Sequence, residues 1–241
     1  MNHLPLQIAP SILAGDFGHF AREAKRVEQG RGDWVHCDVM DGHFVENITF
    51  GPDTIAAIGK ATKLPLDVHL MIERPDRYAE AFARAGATRL TIHVEAMGNK
   101  KKGTEGRAVY QRKSVAILEE LFSAIADLGC RCGLAVNPET PIRAVKPFLK
   151  QIDLILVMTV WPGFGGQRFG DELVPKIREG RGLINQSRRK IHLEVDGGID
   201  RNTGPRCVEA GANILVAGNS LFHHKTLNLK GAIAELREAC S

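Results

Sequence analysis

The chain has 241 residues, of which 44% are hydrophobic and 25% charged, and its formal net charge at pH 7 is +4. These values are ordinary for a soluble globular protein, and they exclude the collagen-like, disordered and disulfide-rich secreted classes. The length fits one (β/α)8 barrel as well as two smaller domains. The mild positive charge does not indicate a nucleic-acid partner, although it suits an anionic metabolite.

Short runs rich in Val, Ile and Leu recur along the chain and predict eight β-strands. The predicted strands start near Ile8, Trp34, Leu66, Arg89, Arg131, Leu154, Ile191 and Ile214. Amphipathic stretches predict helices over residues 17–28, 53–60, 76–85, 115–128, 141–149, 171–183, 203–210 and 228–239. Strands that alternate with helices in this way predict a parallel sheet with right-handed crossovers.

The side-chain alternation along the strands favours a closed barrel over an open sheet. The strand from Leu66 has one aliphatic face and an opposite face that carries Asp67 and His69, and the strands near Trp34, Arg89 and Ile191 have the same pattern. One side of an open sheet would not be polar in strand after strand, whereas the polar faces of a barrel converge inside it. We therefore predict one (β/α)8 TIM barrel over residues 1–241.

One gap between predicted strands is unusually long, because the starts at Arg89 and Arg131 are 42 residues apart. The gap contains a Gly- and Lys-rich segment and predicts a loop insertion at about residues 97–114. The insertion would rise from the carboxyl-terminal rim, where barrel enzymes place their chemistry. It is either a solvated loop or a lid that attracts a phosphate, and the sequence leaves both interpretations open.

The cysteines and the distribution of apolar residues indicate the cellular compartment of the protein. The five cysteines are odd in number and lack the spacing of a zinc ribbon, which indicates a reducing compartment. The first residues show no signal peptide, and no apolar run approaches the roughly 18–20 residues of a transmembrane helix. We therefore expect a cytoplasmic protein with no membrane partner.

Four residues of metal-ligand type fall at predicted strand ends. His36 and Asp38 are two positions apart on one strand and point the same way. His69 lies at a similar height on the next strand, and Asp196 ends the seventh. Any one of these histidines alone would more often be a core residue, but the set suits one divalent metal ion such as Zn, Fe, Mn or Co. Deeper inward residues are expected to form a supporting polar layer: Asp67, His192 and Glu194.

Three glycine clusters follow successive predicted strands: Gly163-Phe164-Gly165-Gly166, Gly197-Gly198 and Gly218-Asn219-Ser220. The last cluster would open a short helix at residues 219–222. Barrels commonly bind phosphate at the loops after strands 7 and 8, where free N–H groups favour an anion. One cluster alone would indicate only a turn, whereas three at the same end of the barrel predict a phosphate site.

Three methionines sit near strand ends, at Met40, Met71 and Met158. Methionine is usually core filler, but beside a metal and two carboxylates these side chains would form a dry wall against a reactive carbon. Both interpretations stay open. Asp41 falls just past the end of its strand, and we expect it to orient the site or its loop.

Six segments, in order, resemble the ribulose-phosphate 3-epimerase family. They are residues 8–13 (IAPSIL), 36–44 (HCDVMDGHF), 47–52 (NITFGP), 66–72 (LDVHLMI), 162–167 (PGFGGQ) and 194–198 (EVDGG). The resemblance runs from about Ile8 to Phe222. It implies a barrel of the ribulose-phosphate-binding type that interconverts D-ribulose 5-phosphate and D-xylulose 5-phosphate. It also implies one divalent metal ion, no organic cofactor, a role in carbohydrate metabolism such as the pentose phosphate pathway, and a homo-oligomer, either dimer or hexamer.

The resemblance further implies residue roles. The residues that match the family's metal ligands are His36, Asp38, His69 and Asp196, and the aspartates also match its acid–base pair. The residues that match its substrate and phosphate contacts are Ser11, His69, Gly163, Phe164, Gly165, Gly166, Asp196, Gly197, Gly198, Gly218 and Asn219. The chemistry agrees, because inversion at C3 needs a carboxylate on each face and the enediolate intermediate needs a cation.

The sequence departs from the family pattern at four places. Trp161 stands where Asn is usual, Glu46 replaces Pro, Asn219 and Ser220 replace Ser-Ala, and the Lys-rich insertion is unusual. These are predicted rim or loop positions, so they bear on sugar chain length and affinity rather than on the chemistry.

Three alternatives remain at this point. An epimerase acting on a ketohexose 6-phosphate, such as allulose 6-phosphate, is disfavoured by the intact Gly-Phe-Gly-Gly sequence. A decarboxylase or other lyase is disfavoured because no lysine lies on the inward faces of the second and third strands. A non-catalytic sugar-phosphate sensor is disfavoured because all four ligand-type residues are present.

Overall fold

The computed structural model describes residues 4–96 and 113–241. Its eight strands are β1 Gln7–Pro10, β2 Val35–Met40, β3 Leu66–Met71, β4 Arg89–His93, β5 Arg131–Val136, β6 Leu154–Met158, β7 His192–Asp196 and β8 Ile214–Ala217. Each strand begins within one residue of its predicted start. The short apolar runs therefore located the strands correctly.

The α-helices fill the gaps between strands. They are α1 Phe20–Gln29, α2 Pro52–Ala61, α3 Pro75–Arg84, α4 Lys113–Asp127, α5 Val174–Ser187, α6 Gly204–Glu209, α7 Asn219–Phe222 and α8 Leu229–Ala239. Short 3-10 turns, Phe17–His19 and Asp171–Leu173, precede α1 and α5. Proline in the first turn fixes the start of several of these helices, because its missing N–H costs nothing there.

One predicted helix has the wrong type. The segment predicted as an α-helix over residues 141–149 is a 3-10 helix, Ile142–Phe148. Pro147 lies inside it and has no N–H to donate to an α-helical ladder, so the tighter i to i+3 pattern prevails. The segment still buries Val145 and Phe148 against the barrel, so its packing role is that of the expected helix.

The strands form a nearly closed parallel barrel. Their order is β1-β8-β7-β6-β5-β4-β3-β2, and every neighbouring pair is parallel. A parallel bridge between Ser11 and His36 joins the end of β1 to the beginning of β2 and so closes the ring. This closure brings the ends of all eight strands to one rim, where the predicted site residues lie.

The barrel interior is polar on some strands and apolar on others. The polar faces predicted for β2, β3 and β4 are buried, and on the polar face of β7 Glu194 is buried while His192 and Asp196 are half-buried. The remaining strands contribute a separate apolar interior cluster, which includes Ala9, Ala135, Leu154, Leu156, Met158, Ile214 and Val216. Outside the barrel, the aliphatic strand faces and the helices form the main apolar core, in which Cys37 is fully buried.

The long β4–β5 gap is described only in part. The helix α4 begins at Lys113, two residues before its predicted start. The rest of the predicted insertion, residues 97–112, lies outside the described residues. Within the described ranges, every helix is too short or too polar to cross a membrane.

Candidate active site

The four predicted ligand residues lie on β2, β3 and β7 and meet inside the barrel. The strand register places Asp38 beside His69. One donor atom from each of His36, Asp38, His69 and Asp196 lies within 4.8 Å of the others. The Oδ1 atom of Asp38 is 3.2 Å from His36 Nε2 and 3.0 Å from His69 Nδ1. The predicted set is therefore one compact cluster.

This cluster fits a divalent transition metal. Two imidazole nitrogens and two carboxylates are ligands that Zn, Fe, Mn and Co accept. The outer nitrogen of each histidine is already engaged: His36 Nδ1 lies 2.8 Å from Asp67 Oδ2, and His69 Nε2 lies 2.8 Å from His93 Nε2. Such contacts hold a ligating imidazole in one orientation.

Asp38 is held as a carboxylate. Ser11 Oγ donates a hydrogen bond of 2.6 Å to Asp38 Oδ2, so the other oxygen is left facing the two histidines. Burial opposes ionisation, but the charge of His36 and the hydrogen bonds with His36 and His69 lower the pKa of Asp38 far below its usual range. Asp38 thus combines a fixed orientation with a full negative charge.

Asp196 differs from Asp38 in its environment. It ends β7 and is partly exposed to the cleft. Burial and the negative charge of Asp38 raise the pKa of Asp196 to about 7. Two carboxylates with pKa values pushed apart are the arrangement expected of an acid–base pair.

The polar layer predicted beneath the site exists in part. Asp67 Oδ2 and Glu194 Oε1 lie 2.8 and 3.7 Å from His36 Nδ1. Burial and the charge of Asp67 raise the pKa of Glu194 to about 8. His192 lies farther from the ligand cluster, at the start of β7, where it packs against Trp34 and contacts Asn213. The surplus of acidic groups around His36 attracts positive charge, whether a proton or a metal cation.

The cluster opens into one cleft of about 810 Å³. The predicted residues that line the cleft are Ser11, Asp38, Met40, Met71, Met158, Gly163, Phe164, Gly165, Gly166, Asp196, Gly197, Gly198, Gly218 and Asn219. His36 and His69 do not line it and are fully buried. The structure thus brings together every residue that the sequence analysis assigned to the site.

The glycine loop after β7 has a backbone that other residues would not adopt. Gly197 has φ +123°, and a Cβ there would approach Val160 to 2.5 Å. Gly198 has φ +64°, and a Cβ there would collide with the backbone of Phe169. The absence of side chains lets the β7 loop pass directly against the β6 loop.

Sequence reasoning missed several contacts that fix the glycine loop after β6. Asn47 Nδ2 donates to the carbonyl of Gly163 at 2.8 Å, and Gln167 Nε2 donates to the carbonyls of Trp161 and Phe164. Both residues fall in segments that carried the family resemblance, which was the only signal available for them. Asp41 orients its loop as expected, because its carboxylate accepts hydrogen bonds from three backbone N–H groups.

The departures from the family pattern that fall within the described residues lie at the rim. Trp161 is 49% exposed, and Glu46 and Asn219 are also exposed. Among the methionines, Met40 and Met71 pack with Val45 beside the cluster, and Met158 belongs to the apolar interior. The methionines therefore pack as core residues and also face the cleft.

Comparison with known proteins gives one consistent family. The sequence model of one protein family, the ribulose-phosphate 3 epimerase family, matches residues 7–222. The chain is 43% identical over 233 residues to the ribulose-phosphate 3-epimerase of Bacillus subtilis (strain 168), covering 96% of this chain and 98% of that protein. It is 44% identical over 217 residues to the protein of the same name from Rhodobacter capsulatus, covering 90% and 86%.

Solved structures share the barrel. A 3-hexulose-6-phosphate synthase superposes with a TM-score of 0.65 at 17% identity, covering 99% of this chain and 100% of that chain. KGPDC from Streptococcus mutans superposes with a TM-score of 0.69 at 12% identity, covering 99% and 98%. At these identities the likeness concerns the fold alone.

Proposed function

Because the chain belongs to the ribulose-phosphate 3-epimerase family, it is a carbohydrate epimerase, and we propose that it interconverts D-ribulose 5-phosphate and D-xylulose 5-phosphate. The observation that carries the proposal is the placement of Asp38 and Asp196 in one compact cluster at a cleft lined by three glycine loops. This arrangement combines two proton carriers with a place for a phosphate.

The two aspartates would divide the work of inverting C3. One carboxylate takes the C3 proton from one face of the sugar, and the other carboxylic acid returns its own proton to the opposite face. The protein ends each turnover with the proton on the other aspartate, so the reverse reaction exchanges the two roles. Ser11 keeps Asp38 in place through its 2.6 Å hydrogen bond.

The donor set supports a divalent cation as cofactor, held by His36, Asp38, His69 and Asp196. When bound, such a cation supplies Lewis-acid stabilisation of the negative charge that develops on the sugar oxygens next to C3. The chain's own part is to orient the ligands, through Asp67 at His36, and to exclude water through Met40, Met71 and Met158. No organic cofactor is needed, since the reaction is redox-neutral.

The phosphate would be held by the glycine loops at residues 163–166 and 197–198 and by Gly218 with Asn219. These segments offer backbone N–H groups without side chains in the way, which is a common way of binding phosphate in proteins. They lie at the rim, so the sugar would extend from the phosphate down to the aspartates. Phe164 is 60% exposed at this edge and would cover the bound sugar.

Replacing Gly166 with alanine is expected to raise KM for the sugar phosphate about 10-fold, with a smaller change in kcat. Gly166 has φ +77°, and a Cβ there would collide with Asn219 Nδ2, so the substitution disturbs two of the proposed phosphate segments. One lost charge-assisted hydrogen bond is worth about that factor. Steady-state kinetics measure it, with Gly182→Ala as control because a Cβ at Gly182 meets open space. An unchanged KM would contradict the phosphate assignment.

We also propose that the enzyme is one barrel domain over the whole chain, that it is located in the cytoplasm and that it forms a homo-oligomer, either a dimer or a hexamer. The family resemblance supports the oligomer, and the unpaired cysteines support the reducing compartment.

The proposed reaction is tested by following C3 in deuterated water. We expect the C3 proton of both ribulose 5-phosphate and xylulose 5-phosphate to be replaced by deuterium as the two sugars equilibrate, observed by proton NMR. Epimerisation that leaves the C3 proton in place would contradict proton transfer through the aspartates.

A further inference from the structure

A hydrogen-bonded chain runs from the ligand cluster to residues outside it. His93 Nε2 lies 2.8 Å from His69 Nε2, and His93 Nδ1 lies 3.2 Å from Glu95 Oε2. The other oxygen of Glu95 accepts a 2.9 Å hydrogen bond from the backbone N–H of Asn137. His93 and Glu95 are not among the four proposed ligands, and the proposed mechanism gives them no role.

This chain is shielded from water. His69 and His93 are fully buried, and their rings stack with centroids 4.9 Å apart and planes 28° apart. The ring of Phe44 contacts His93 with its centroid 4.7 Å away. Because solvent cannot replace any hydrogen bond in this chain, each donor must be matched by an acceptor.

The donor order follows from the carboxylate at the far end. Burial raises the pKa of Glu95, but its hydrogen bonds, the strongest of them with His93, together hold the pKa below its usual value, so Glu95 only accepts. His93 Nδ1 therefore carries a proton and donates a hydrogen bond to Glu95. A cation bound at His69 Nδ1 would require that nitrogen to be unprotonated, so the His69 proton would then lie on Nε2 and be donated to His93 Nε2. His69 Nδ1, which is 3.0 Å from Asp38 Oδ1, would then face the cation beside that carboxylate.

We propose that Glu95 and His93 are positioning residues that hold His69 in the tautomer whose Nδ1 is free to bind a divalent cation. The inference rests on the metal site of the proposed function. His36 is oriented in a simpler way, because Asp67 accepts directly from its Nδ1 at 2.8 Å. The two proposed histidine ligands thus obtain the same tautomer control, one from an adjacent carboxylate and one through a second histidine.

The substitution Glu95→Gln tests the proposal with almost no change of size. Glutamine has one oxygen and one NH2 group, so it cannot accept from both His93 and Asn137. When the NH2 group faces His93, every donor in the chain reverses and a proton is placed on His69 Nδ1. We expect the Kd for Zn²⁺, measured on metal-free protein by competition with a chromophoric chelator, to rise about 10- to 100-fold.

The matched control is Glu23→Gln. Glu23 is also buried and pairs with Arg26 at 2.6 Å on α1, and none of its contacts is with the ligand cluster. We expect its Zn²⁺ affinity to equal that of the wild type. A wild type that binds Zn²⁺ tightly and a Glu95→Gln variant that binds it equally well would overturn this inference and leave the proposed function intact.

A double-mutant cycle separates action through His93 from a general structural effect. The substitution His93→Leu should weaken Zn²⁺ binding as well, because His69 Nε2 then has no acceptor. If Glu95 acts through His93, adding Glu95→Gln to His93→Leu changes the Kd by less than about 2-fold. Full additivity of the two effects would overturn the relay.

A spectroscopic readout tests the donor order directly. Long-range proton–nitrogen NMR of histidine-labelled, Zn²⁺-loaded protein should show His93 protonated at Nδ1 and accepting at Nε2. A wild-type His93 with a proton on Nε2 would overturn the relay. A wild type that binds no Zn²⁺ would instead contradict the metal site, and with it the assigned purpose of the relay.

Discussion

Replacing either Asp38 or Asp196 with asparagine is expected to lower kcat for epimerisation by at least about 10³-fold. Each substitution removes a proton carrier and a proposed metal ligand while keeping the size of the side chain. Both residues belong to the 4.8 Å cluster, whereas the other carboxylates among the described cleft residues, Asp171 and Asp200, lie outside it. A coupled assay measures the rate, with Asp76→Asn as control, because Asp76 pairs with Arg74 on the helix side of the barrel.

Exchange of the C3 proton with solvent sharpens this prediction. Each variant retains one carboxylate, on one face of the sugar, so with metal bound it should exchange the C3 proton of one epimer only. The two variants should act on opposite epimers. Turnover close to that of the wild type in either metal-loaded variant would refute the two-carboxylate mechanism.

Removing divalent cations is expected to lower turnover at least about 100-fold, because Lewis-acid stabilisation of developing charge is worth several kcal/mol. Adding back Zn²⁺, Fe²⁺, Mn²⁺ or Co²⁺ should restore activity. Mg²⁺ should restore less of the activity, since two of the four ligands are imidazoles and Mg²⁺ prefers oxygen ligands.

The measurement is the rate of chelator-treated protein before and after each addition, with metal content followed by elemental analysis. Protein that has been treated, dialysed and reloaded with the original cation controls for damage during chelation. Full turnover by protein shown to contain no divalent cation would contradict the metal part of the proposed function.

The barrel and the ligand cluster were predictable because both depend on short-range patterns. The strand period of two places His36 and Asp38 on one face, and equal height on neighbouring strands adds His69. Closure of the ring then brings Asp196 within reach. The position of the glycine loops was predictable as well, because all of them follow strands at the same end of the barrel.

Other features depend on contacts that sequence spacing does not encode. The strand β6, Leu154–Met158, is buried on both faces, so alternation could not show which side chains point inward. The contact between Asn47 and Gly163 joins residues 116 positions apart. The role of His93 depends on the reach of its ring toward His69, although the register pairs His69 with Thr91.

The most direct test of the central claim is a coupled epimerase assay on ribulose 5-phosphate beside allulose 6-phosphate. We predict turnover that strongly prefers the pentose phosphate. Preference for the hexose phosphate would contradict the assigned substrate while keeping the chemistry, and would direct attention to Trp161 at the rim. No turnover of either sugar by protein with its metal bound would contradict the account itself.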